Sequence, residues 1–122
     1  MSKLIQAINV MVANESKIGR VTPGKESKEV FFVYDKKHVW SMAKQDSGMK
    51  MWYYPSGINN FEHLVNARND EWEHMQMVYY SEEEFATREA KESVDELYRI
   101  VREKQYGMDE VFNDIFSSDE TF

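Results

Sequence analysis

The sequence predicts an α+β fold with an N-terminal helix, an antiparallel meander of about four strands, and a long C-terminal helix packed on the sheet. Three observations carry this expectation. Apolar residues between Ser2 and Asn14 recur at helical spacing, those between Glu29 and Tyr80 fall into short runs rich in β-branched and aromatic residues, and those after Ser81 return to helical spacing. A chain of 122 residues suits one core and is too short for two independently stable ones. Residues 1–122 therefore read as a single domain, with a frayed tail at about 117–122.

Each element has its own sequence argument. Leu4, Ile8 and Met11, with Ile5 and Val12 alongside, define an amphipathic helix from Ser2 to about Asn14. Glu15 to Lys28 is polar, contains Pro23-Gly24, and reads as a loop carrying Lys17, Arg20, Lys25 and Lys28. Glu29 to Tyr34 is apolar on both faces, as expected of a central strand covered on each side or lying at an interface. His38 to Lys44 follows as a second strand, Asp46-Ser47-Gly48 supplies hairpin chemistry, and Met49 to Tyr54 forms a third. Pro55-Ser56-Gly57 ends this meander. Asn59 and Glu62 have the capping pattern of a short helix, and a fourth strand is expected over about Glu73 to Tyr80. Ser81 and Glu84 form a capping box for the long helix, whose stripe of Ala86, Ala90, Val94, Leu97 and Val101 faces the sheet. Gly107 stops that helix, and Asp109 to Phe116 adds a further helical turn or two.

Composition narrows the function classes. The absence of cysteine removes disulfides, thiolate nucleophiles and sulfur-based zinc sites, and it favours a reducing compartment. Leu4 to Ala13, interrupted by Gln6 and Asn9, lacks the continuous apolar region of a signal peptide. Nor does any segment reach the roughly 18 consecutive apolar residues of a membrane span. A soluble, cytoplasmic protein with no membrane partner is the expectation. The formal net charge of −7 opposes non-specific attraction to nucleic acid. That charge is uneven: Met1 to Pro55 holds nine Lys and Arg against five Asp and Glu, whereas Ser56 to Phe122 holds six against seventeen.

No phosphate-cradling glycine loop, dinucleotide-binding glycine pattern, HExxH or calcium loop occurs, which lowers the expectation of an enzyme and calls for no cofactor. His38, His63 and His74 are the only side chains with unperturbed titration near neutrality, and nothing in their spacing forces them together. His74 with Glu71 or Glu73, or His63 with Glu62, has poor geometry for one ion, so no metal site is expected.

Two surfaces remain. The long helix carries Glu82, Glu83, Glu84, Glu89, Glu92, Asp95 and Glu96, an extended negative face that suits a basic protein partner. Arg88 and Arg99 are spaced to pair with Glu84 and Asp95, which by itself stabilises a helix. The leading expectation is a non-enzymatic binding protein such as an inhibitor, immunity-like factor or adaptor, contacting its partner through Glu82, Glu83, Glu89, Glu92, Asp95 and Glu96. The alternative is a small anionic ligand or nucleotide held by Trp40, Trp52 and Tyr54 with Arg20, Lys50 or Arg68 neutralising a phosphate. Otherwise those aromatics are buried under the N-terminal helix or another subunit. The apolar faces of Val30 to Tyr34, with Phe112 and Phe116, exceed the needs of a two-layer monomer and point to a homodimer.

Overall fold

The computed structural model describes residues 2–24, 29–67, 71 and 75–119. Helix α1, Lys3–Ala13, begins where the Ser2 hydroxyl accepts a hydrogen bond from the Ile5 amide at 3.2 Å. It buries Ile5, Ile8 and Met11. After a short 3-10 turn at Glu15–Lys17 come strands β1 (Ile18–Pro23), β2 (Val30–Tyr34), β3 (His38–Gln45) and β4 (Gly48–Tyr54). A 3-10 turn at Gly57–Asn60 leads into α2, Phe61–Asn66, and strand β5, Val78–Tyr80, completes the sheet. The chain ends in α3, Arg88–Gln105, and α4, Met108–Ser118. Among the described residues the sheet has five strands in the order β1-β2-β3-β4-β5, each antiparallel to its neighbour.

The α+β class and the order of helix, meander and helix agree with the sequence; four local expectations do not. The segment read as a loop contains β1. Its short apolar content is Ile18 and Val21, and Arg20, with left-handed backbone at φ 50°, marks the bulge where the register against β2 shifts. Pro23 is tolerated because β1 lies at the sheet edge. The expected strand over Glu73 to Tyr80 is paired only at Val78–Tyr80; Met75 and Met77 instead turn inward on a hydrophobic cluster, and residues 72–74 lie outside the described residues.

The capping box is the third correction. Ser81 precedes only one 3-10 turn, Glu82–Phe85, and makes no side-chain cap. Phe85 is buried there, anchoring the chain before it turns, and α3 starts afresh with the Thr87 hydroxyl accepting from the Ala90 amide at 3.1 Å. Ala86 is accordingly exposed, while Ala90, Val94, Leu97, Ile100 and Val101 form the buried stripe. Helix α4 continues through Ser118, two residues past the expected Phe116; residues 120–122 lie outside the described residues.

Two clusters sandwich the sheet. Val30, Phe32, Met42 and Met51 meet α1 and α3 on one face; Phe31, Val33, Val39 and Tyr54 meet Phe61, Leu64 and Val65 on the other. The alternation of β2 explains both, because successive side chains point to opposite faces. Phe31 and Phe32 are each fully buried, a gain of about 1.5–3 kcal/mol per side chain. The second face is thus covered by α2 and the segment leading to β5, whereas the N-terminal helix shares the first face with α3. Double coverage explains why β2 is apolar on both sides, leaving Phe112 and Phe116 as the apolar surplus.

Candidate functional site

Among the described residues no group of three or more His, Asp or Glu is close enough to hold a metal ion, and no helix is long and apolar enough to cross a membrane. His38 and His63 have separate partners. His38 Nδ1 lies 3.0 Å from the Tyr53 hydroxyl, and His63 Nε2 forms an exposed 3.2 Å contact with a Glu71 carboxylate oxygen. The second pairing, across eight positions, brings α2 to the segment before β5 beside a cleft of about 450 Å³ that Ser56, Asn60 and Gln76 also line. No sequence spacing pointed to it. His74 lies outside the described residues.

The six acidic residues are presented unequally. Glu83 and Glu89 are exposed and have no ion pair among the described residues. Glu92 pairs with Arg88 at 3.1 Å, one turn away. Glu96 and Glu103 both hold Arg99, whose guanidinium keeps the Glu96 carboxyl below the usual carboxylate range. Asp95 is half-buried, and Glu82 has one carboxylate oxygen buried with no hydrogen-bond partner among the described residues. The pairing partners differ from the spacing argument, since Arg88 selects Glu92 over Glu84 and Arg99 selects Glu96 and Glu103 over Asp95.

The aromatic candidates divide between the two sheet faces. Trp52, Tyr54 and Lys50 alternate along β4 onto the face covered by α2, and Trp52 stacks on Tyr79 at 5.3 Å between ring centroids. Tyr54 is buried, its hydroxyl 2.8 Å from Ser41 Oγ and 3.4 Å from a Glu29 carboxylate oxygen. Burial, and then the Glu29 charge, push its phenol up from the ordinary tyrosine value. Arg20 caps the Phe61 ring at 4.2 Å on the edge strand, three strand spacings or roughly 14 Å from β4. Arg20 and Lys50 therefore do not converge, and Arg68 lies outside the described residues.

Trp40 is on the opposite face. It packs edge-on against Tyr53 at 4.8 Å and tilts against Tyr80 at 6.5 Å. With Tyr34, His38 and the α1 residues Ala7, Val10 and Met11, these rings line an open, mainly apolar groove of about 430 Å³. Val10 on its rim is 53% exposed.

A second apolar surface lies on α4. Met108, Val111, Phe112, Ile115 and Phe116 fall at i, i+3, i+4, i+7 and i+8, the spacing of a stripe made for burial. Yet no α4 residue is buried, and Phe116 is 66% exposed. Asp109, Glu110 and Asp114 share the helix, which carries no Lys or Arg. Gly107, left-handed at φ 61°, joins it to the end of α3. The i, i+3, i+4 spacing was legible in the sequence; that none of its residues is fully buried among the described residues was not. Comparison with protein-family models, curated proteins and solved structures gives no match.

Proposed function

We propose that this chain is a non-enzymatic macromolecule-binding protein whose contact surface is the C-terminal pair of helices. The observation that carries the reading is the uncovered apolar stripe of α4, because large contiguous apolar patches on a folded chain mark interaction surfaces. Asp109, Glu110 and Asp114 on the same helix suit a partner with an apolar groove and a basic rim. The stripe supplies affinity and the charges select and steer.

The test is native mass spectrometry of the protein purified from its source cells, wild type beside the double variant Phe112→Asp/Phe116→Asp. A partner retained in fixed stoichiometry by the wild type, lost by the variant, and rebound when mixed pure at low salt supports the reading. A variant that retains every wild-type partner refutes it.

One observation favours a second reading, a small anionic ligand. Trp52 and Tyr79 form a partly exposed stacked pair on the face that carries Lys50, an arrangement that suits a planar ring with a nearby anion. Titration with a nucleoside monophosphate, followed by Trp fluorescence, should then saturate in the wild type and fail in Trp52→Ala with the fold intact. Equal responses from both proteins would end this reading.

A further inference from the structure

Two unpartnered apolar surfaces on one chain differ in shape and in charge. The α4 stripe is convex, and its helix carries Asp109, Glu110 and Asp114 with no cation. The Trp40 groove is concave and built almost wholly from the basic first half of the sequence. Lys36 and Lys37 occupy the tight turn immediately before His38, and Asp35 in that turn donates its amide to the Lys17 carbonyl at 3.0 Å, so three lysines gather at this end. Glu15 and Asp35 offset them only in part.

We propose that the occupant of the Trp40 groove is α4 of a second copy of this chain, exchanged reciprocally between two protomers. The inference rests on the reading of α4 as a binding surface and names its partner. Phe112 and Phe116, one helical turn apart, enter between α1 and the rings of Trp40, Tyr53 and Tyr80. Asp109 and Asp114, which flank the stripe, then come toward the end of the groove that carries Lys36 and Lys37. A helix of 11 residues is about 16 Å long, too little surface alone for the roughly 1,200 Å² of a stable interface, and reciprocal exchange doubles it. The simpler symmetric alternative, α4 against α4, brings Asp109 and Asp114 of each copy toward those of the other and is disfavoured by like-charge repulsion.

Complementation between two variants tests this arrangement. Phe112→Asp/Phe116→Asp damages the inserted helix, and Val10→Glu damages the groove rim; none of the three positions is fully buried, and circular dichroism should show both variants folded. Sedimentation across a concentration series should give twice 14.5 kDa for the wild type. Each variant alone should weaken self-association by at least about 100-fold. Mixing the two should give a 1:1 heterodimer that is weaker than the wild-type dimer and tighter than either variant's self-association, because one exchanged contact is intact while the other is damaged on both sides. A wild type that stays monomeric at 200 μM (roughly 10⁻⁴ M, weaker than a typical specific complex) overturns the proposal, as does Val10→Glu dimerising like the wild type. If such a monomer still loses a different partner on Phe112→Asp/Phe116→Asp, the exchange fails while the reading of α4 as a binding surface stands.

Discussion

Gly57 sits where an added Cβ would lie 2.8 Å from Tyr54 Cβ, 2.9 Å from Val39 Cβ and 3.0 Å from Leu64 Cδ1. Two of those neighbours are the first atoms of strand side chains and cannot swing away, so the sheet and the chain entering α2 approach through the space that glycine leaves. Gly57→Ala should therefore destabilise the fold by about 1–3 kcal/mol, the range for overpacking a filled core, measured by urea denaturation. An unchanged midpoint would mean that this contact yields easily. In the sequence Gly57 reads only as part of a Pro-Ser-Gly turn; its packing role depends on Val39 and Leu64, which arrive from other elements. The same holds for Ser41, fully buried yet an ordinary polar position of a strand until Tyr54 and Glu29 are brought to it, with Ser41 Oγ donating to Glu29 at 2.7 Å.

At the scale of elements, the alternation of β2, β3 and β4 and the helical spacing of α1 and α3 were each legible because periodicity is a local property. The start of α3 was misplaced for a reason that is also physical. Ser81 and Thr87 both precede acidic residues, and which of them caps depends on where Phe85 is anchored. Thr87→Ala should cost about 1 kcal/mol, whereas Ser81→Ala, which removes no side-chain cap, should fall within about 0.5 kcal/mol of the wild type. Thermal unfolding of the two variants side by side decides it, and a larger loss at Ser81 would return the start of the helix to the capping box. Strand β1 escaped notice because Gly19, the bulge at Arg20 and Pro23 leave too few alternating residues; its pairing is supplied by β2.

Taken whole, the molecule is a sheet with helices on one face, a short helix and its flanking segment on the other, and an amphipathic helix that touches α3 without a fully buried side chain among the described residues. Since α4 has no fully buried side chain among the described residues, a chain ending at Gly107 should keep its fold, with thermal stability within about 1 kcal/mol of the full protein. A collapse of cooperative unfolding would show that α4 is part of the core after all. Charge also reads differently at this scale. The acidic second half is in part self-neutralised along α3, where Arg88 and Arg99 take Glu92, Glu96 and Glu103, while α4 keeps its carboxylates without a cation of its own. The α+β class, the helix-meander-helix order, the two-faced apolar character of β2 and the surplus of apolar residues at Phe112 and Phe116 all follow from local period and composition. Which aromatics share a face, the parting of Trp40 from Trp52, the separation of Arg20 from Lys50 and the exposure of the surplus on α4 emerge only when the chain is folded. Those are facts of convergence between distant segments, and convergence is fixed by how layers pack rather than by any spacing along the chain.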